Sequence, residues 1–185
     1  MNKIIALVGM PGTGKSVVSD FFEVRGFASV YFGGVTMDEI EKRGLELNEQ
    51  NEKKVREQLR KELGMAAYAI LNIPKIEEAL KHGNVIVDGL YSWSEYKVLK
   101  EKFGDSLEVL AIVSPMAARH ARLAGRKVRP LTEEESTARD YAEIENLEKG
   151  GPIANADQYV VNDGTIKELI GRLEKLYGKE PDEVA

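Results

Sequence analysis

Positions 4–8 read Ile-Ile-Ala-Leu-Val, an apolar run with no polar alternation. A run of that length and kind is the pattern of a strand buried on both faces of a parallel sheet. Glycines at 9, 12 and 14 interrupt it, and Val17, Val18, Phe21 and Phe22 then recur at helical spacing. Further strands are predicted over 28–32, 84–88, 107–113 and 158–161, the first beginning one residue earlier at 3–8. Capping boxes signal helix starts between them: Thr36 with Glu39, Thr132 with Glu135, and Thr165 with Glu168. Strands alternating with helices predict an α/β fold, a five-stranded doubly wound parallel sheet with right-handed crossovers.

Two connections are longer than the dozen or so residues that a crossover needs. The stretch 33–83 reads as several helices, among them the very polar "NEQNEKKVREQLRKELG". The stretch 114–157 holds "ARHARLAGRKVRPLTEEESTARD". Ligands of such sheets bind outside the strand C-terminal ends, and long insertions at that edge are lids or substrate-binding segments. Residues 1–185 are therefore expected to form one domain, with 33–83 as a helical insertion and 119–147 as a short lid region.

Composition narrows the class. A chain of 185 residues with 43% hydrophobic content can bury one sizeable core. A net charge of −5 argues against general nucleic-acid binding. The absence of cysteine excludes disulfides and thiolate metal sites. The N-terminal apolar run is too short for a membrane span and merges into the glycine loop, unlike a signal peptide, so a cytoplasmic protein without membrane contact is expected. A monomer or small homo-oligomer is expected, and the tail "GKEPDEVA" is expected to fray.

The chemistry concentrates in "GMPGTGKS". Strand, glycine loop and helix start give G-x-x-x-x-G-K-[ST] the context that it requires as a phosphate-binding loop. Gly9, Gly12, Thr13 and Gly14 shape the loop, whose backbone N–H groups and helix N-terminus attract an anion. Lys15 reaches the β- and γ-phosphates, and the Ser16 hydroxyl ligates Mg²⁺. Asp88 ends the apolar strand "VIVD" at the same sheet edge, where its carboxylate holds Mg²⁺ opposite Ser16. Arg119, Arg122 and Arg126 are spaced i, i+3 and i+7 on one helix face until Gly125 interrupts it, followed by Lys127, Arg129 and Arg139. On an acidic protein, such a cluster suits a polyphosphate whose transferring group gathers charge. ATP with Mg²⁺ is the expected ligand.

These residues resemble the nucleoside-monophosphate kinase group of P-loop proteins, which includes adenylate kinases and dephospho-CoA kinases. "GMPGTGKS" is similar to the adenylate kinase loop, "VIVDG" to the strand ending in Asp-Gly, and "ANADQYVVNDGTIKEL" to the last strand and base-flanking loop. The resemblance covers about residues 3–177 and implies an ATP-dependent kinase with a nucleotide-like small-molecule acceptor. It implies that Asn162 and Gly164 flank the nucleotide, that Arg119, Arg126 and Arg139 serve phosphates, and that 33–83 binds the acceptor.

Two departures leave the acceptor open. Adenylate kinases follow Asp-Gly with a Phe-Pro-Arg stretch, where this chain has Leu90-Tyr91-Ser92-Trp93. Dephospho-CoA kinases place an aspartate base after the second strand, where this chain has Phe32-Gly33-Gly34. An acceptor phosphate needs arginine clamps, offered by Arg43, Arg56 and Arg60; an acceptor hydroxyl wants a carboxylate, offered by Asp38. Trp93 lies five residues past Asp88, near the expected acceptor site. The alternatives are a dephospho-CoA kinase, and a P-loop ATPase or nucleotide-binding regulatory protein without a small-molecule acceptor.

Overall fold

The computed structural model describes residues 2–178; the tail expected to fray lies, from residue 179 on, outside the described residues. In chain order the elements are β1 (Ile4–Val8), α1 (Lys15–Glu23), β2 (Ala28–Tyr31), α2 (Gly34–Lys42) and α3 (Glu49–Leu63). There follow α4 (Ala67–Leu80), β3 (Val85–Asp88), α5 (Trp93–Phe103), β4 (Leu107–Val113) and α6 (Met116–Ala124). The chain continues through α7 (Glu133–Glu145), α8 (Gly150–Ala154), β5 (Gln158–Val161) and α9 (Ile166–Tyr177). The five strands form one sheet in the order β2-β3-β1-β4-β5, and every pairing is parallel.

Because successive strand residues face opposite sides, β1 feeds two cores. Ile4, Ala6 and Val8 pack with Val35, Val55, Tyr68, Ile76 and Leu99 of α2 to α5. Ile5 and Leu7 pack with Val18, Phe21 and Phe22 of α1 and Leu169 and Leu173 of α9. β1 is the central strand and all five of its residues are buried, so the loop after it lies at the middle of the sheet's C-terminal edge. Parallel register brings Leu7 opposite Asp88, and Asp88 opposite Tyr31, so β2 and β3 end beside that loop.

The long first connection divides. α4 is the crossover helix, with Ala67, Ala69 and Ile76 in the core, while α2 and α3 are the added pair. On α3, Val55 and Leu59 are buried as the polar helix's inner face requires, but Leu63 stands 40% exposed beyond it.

Capping boxes close at Thr132 with Glu135 and at Thr165 with Glu168. The one expected at Thr36 with Glu39 does not form. The helix has already begun at Gly34 after the turn at Gly33, which puts Thr36 inside it. The Thr36 hydroxyl is buried against the Tyr68 hydroxyl at 2.6 Å, and Glu39 accepts from Arg43 at 2.7 Å.

A capping box not anticipated from the sequence joins Ser92 to Glu95 at the start of α5. Glu95 Oε2 accepts the N–H groups of Tyr91 and Ser92 at 2.7 and 3.0 Å, while Oε1 is buried without a partner. Burial lifts this carboxyl to about 7, against the pull of the two backbone bonds. The folded protein therefore holds a proton here that the unfolded chain has lost, and stability falls as pH rises from the ordinary carboxyl range to 7. Glu95→Gln should melt about 2–4 °C above the wild type at pH 8, with the gain vanishing by pH 4.5, as read by calorimetry.

Candidate active site

The loop between β1 and α1 is fixed from several sides. Gly12 and Gly14 hold left-handed backbones at φ +79° and +94°. A Cβ at Gly12 would fall 2.7 Å from the Arg119 carbonyl, and one at Gly14 would fall 2.6 Å from Asn162 Nδ2. No L side chain fits either place. Thr13 is buried, with its hydroxyl donating to Met10 O at 2.9 Å. Asn162 Nδ2 donates to Thr13 O at 2.8 Å, and an Arg119 N–H donates to Pro11 O at 3.1 Å. α1 has Gly14 at its N-terminal cap position and no side-chain cap, so its first N–H groups are free to meet an anion.

Lys15 folds back on this loop, donating to Gly9 O at 2.8 Å and Met10 O at 3.2 Å. Burial first, and the neighbouring Lys149 second, depress its ammonium to about 8, against Glu143 and Asp88. Asp88 shifts the other way: burial raises its carboxyl, with Lys15 opposing. Lys15, Ser16, Asp88, Arg122, Arg126 and Arg139 line one cavity of about 330 Å³. Mg²⁺ takes oxygen ligands and usually only one or two from protein, the rest being phosphate and water. A hydroxyl and a carboxylate in one cavity beside a phosphate loop fit that ion.

The depressed Lys15 makes a pH prediction. A bound triphosphate favours the ammonium, so binding at pH 8 should take up to about half a proton per nucleotide and almost none at pH 6.5. Affinity should then weaken as pH rises above about 8. Calorimetric titration in buffers of different ionisation enthalpy reads the uptake, and Lys15→Met should abolish it.

A second cavity, of about 620 Å³, lies beside the first. Arg56, Arg60 and Tyr68 line it from α3 and α4, and Arg129 lines it from the loop after α6. Tyr31, Tyr91, Arg139 and Glu143 line both cavities and form their common wall. Arg56 pairs with Glu49 at 2.7 Å and Glu52 at 3.2 Å, and Arg129 approaches the same two carboxylates at 3.6 and 3.9 Å. Arg60 lies 5.3 Å from the Tyr68 ring centre, and its Nε is buried without a partner.

Two residues expected at this cavity stand elsewhere. Asp38 follows Thr36 by two positions, about 200° around a helix, so it faces outward and pairs with Lys75 at 2.6 Å. Trp93 turns away from both cavities, stacked on Tyr96 at 4.9 Å and packed against Gly151 of α8.

The arginines of the second insertion also separate. Arg119 is 6% exposed and lines neither cavity; it forms a bidentate pair with Asp140 of α7 at 2.8 and 2.7 Å. Arg122, three residues on, lines the phosphate-loop cavity and donates to Asn162 O at 3.1 Å, Ser114 Oγ at 3.2 Å and Gly164 O at 3.3 Å. Asn162 and Gly164 thus reach the loop's surroundings through Thr13 and Arg122 rather than by lining the cavity themselves.

A UPF0200 protein of Thermococcus kodakarensis is 39% identical over 177 residues, covering 94% of this chain and 95% of that protein. One of Pyrococcus abyssi is 38% identical over 180 residues, covering 95% and 96%. The chain belongs to the UPF0200 family. Residues 5–148 of this UPF0200 chain also match the AAA domain family. A shikimate kinase from Bacteroides thetaiotaomicron superposes with a TM-score of 0.61 at 15% identity, over 94% of this chain and 97% of that one. A gluconokinase from Sinorhizobium meliloti 1021 gives 0.57 at 15% identity, over 92% and 88%. The architecture is the P-loop kinase fold. Among the described residues, no helix is long and apolar enough to cross a membrane.

The UPF0200 chain brings residues to the site that the sequence reading passed over. Tyr31 carries a usable signal, since it ends a strand at the ligand edge. Glu143 and Lys149 carry none: one is a glutamate in an acidic helix, the other a lysine after it. Yet Lys149 is 1% exposed, with its ammonium on Glu143 and 4.9 Å from the Tyr91 ring centre.

Proposed function

We propose that this chain is an ATP- and Mg²⁺-dependent phosphotransferase that moves the γ-phosphoryl group to a nucleotide-like small molecule. The observation that carries this reading is the pair of cavities with a common wall at Tyr31, Tyr91, Arg139 and Glu143. A triphosphate in the smaller would present its terminal group to an acceptor in the larger, which is the end-to-end geometry that phosphoryl transfer requires.

The roles follow from position. Lys15 and the first turn of α1 take the β- and γ-phosphates, and Ser16 with Asp88 would hold Mg²⁺, which spreads the developing charge. Arg122, Arg126 and Arg139 add positive charge around the transferring group. Arg56, Arg60 and Arg129 supply donors for an anionic part of the acceptor, and Tyr31 and Tyr91 offer ring faces for a base. Arg119 acts at one remove, by holding the loop. α6 is anchored through Arg119 and the buried Leu123, so the moving part of the lid narrows to about residues 125–132. One chain carries every part of the site, so a monomer suffices.

The test is product analysis with γ-labelled ATP, Mg²⁺ and an acceptor panel of nucleoside monophosphates and dephospho-CoA. Label on an acceptor is expected. Label appearing only as free phosphate would make the protein a hydrolase, and no release of label would make it a nucleotide-binding module.

A further inference from the structure

We infer that Glu143 takes the proton of an acceptor hydroxyl as the phosphoryl group moves, with Lys149 positioning it from behind. The inference rests on the kinase reading above and names the kind of atom that accepts.

Of the four residues common to both cavities, Glu143 alone carries a carboxylate. Asp88 lines only the phosphate-loop cavity, while Glu49 and Glu52 line only the outer one and are engaged with Arg56 and Arg129. The place where an acceptor oxygen would meet the γ-phosphorus therefore has one candidate base. A phosphate acceptor is already ionised and needs none, and a carboxylate at the junction would repel it. A hydroxyl gains from both its location and its charge.

The carboxylate is held rather than loose. Lys149 engages Oε2, and Arg139 Nε approaches Oε1 at the longer distance of 3.4 Å, leaving Oε1 the freer oxygen. The Lys149 N–H donates to the Glu143 carbonyl at 3.1 Å. Glu148 just before it takes a left-handed φ of +53°, which turns the chain inward. Behind it the Trp93 ring packs so closely on Gly151 that a Cβ there would fall 2.8 Å away. A buried ammonium in such a frame supplies the counter-charge that a buried carboxylate needs.

In the step itself, the acceptor oxygen forms a bond to the γ-phosphorus and its proton passes to Glu143 Oε1. The bond between the γ-phosphorus and the β,γ-bridging oxygen breaks, and its electron pair leaves on ADP. Glu143 later returns the proton to water.

The test uses the full chain, γ-labelled ATP, and two acceptor classes: nucleosides with dephospho-CoA as hydroxyls, and nucleoside monophosphates as phosphates. A fluorescent ATP analogue reports nucleotide binding separately. Labelled product is expected from a hydroxyl acceptor, and Glu143→Gln should lower kcat by about 100-fold or more, with acceptor KM and nucleotide affinity within about threefold. Lys149→Met should lower kcat by about tenfold or more, with Lys149→Arg recovering most of it. Because Lys149→Met leaves Glu143 without its counter-charge, the double variant Glu143→Gln/Lys149→Met guards against misfolding. It should melt near the wild type and turn over no slower than Glu143→Gln alone. Wild-type kcat in Glu143→Gln, or monophosphates as the sole acceptors, would overturn the inference and leave the kinase reading standing. If Lys15→Ala transferred label as fast as the wild type, the kinase reading itself would fall.

Discussion

Lys15→Ala is expected to cut γ-phosphoryl turnover by about 100- to 1,000-fold while leaving the melting temperature unchanged or slightly raised. The side chain contributes little to packing: its ammonium bonds only to Gly9 O and Met10 O, carbonyls of its own loop. Its charge is held at a cost, since burial and Lys149 both work against the ionised form. Removing it relieves that cost. In turnover the same charge faces the phosphates from within the loop, a place that Arg122, Arg126 and Arg139, which line the cavity from other segments, do not fill. Lys149 is the next ammonium, but it is engaged with Glu143. Single-turnover transfer of label, with calorimetry on the same samples, separates the two effects. Turnover within threefold of the wild type would take this loop out of the chemistry.

The inner strands β1, β3 and β4 were legible because a parallel sheet covered on both faces leaves apolar runs, and all five strands fall within a residue of their expected limits. The phosphate loop was legible because its glycines answer to backbone geometry that other residues adopt only at a cost. Spacing could place Arg119 and Arg122 on one helix face, with Arg126 beyond the helix end at Gly125, but not say which partner each would meet. That depends on Asp140 and on Asn162, which are near in space and far in sequence. Thr36 and Glu39 fit a capping pattern locally, yet the turn at Gly33 had already started the helix. Glu143 and Lys149 look like surface residues in the sequence, since nothing local reveals that α7 and α8 turn that pair inward.

Arg119→Ala is expected to destabilise the protein by about 3–5 kcal/mol, a fall of roughly 10 °C in melting temperature, and to weaken nucleotide binding with it. Both effects share one cause. Arg119 and Asp140 are each 6% exposed, and their bidentate contact joins α6 to α7. Burial pushes the Asp140 carboxyl up, but bonds from Arg119 and then His120 outweigh it and hold it below its ordinary value. Removing the guanidinium leaves a buried carboxylate facing His120 alone. It also strips Pro11 O of its donor, so the loop loses the shorter of its two side-chain ties to α6, keeping only Arg122 to Gly12 O at 3.4 Å. Lysine cannot restore a two-pronged contact, so Arg119→Lys should recover only part of the loss. The decisive comparison is Asp140→Asn, which never touches the phosphate cavity. If Arg119 is an anchor, the two variants should lose stability and affinity together, and their double should cost little more than either. If Arg119 instead reached a phosphate directly, Arg119→Ala would lose turnover at a normal melting temperature, and Asp140→Asn would not follow it.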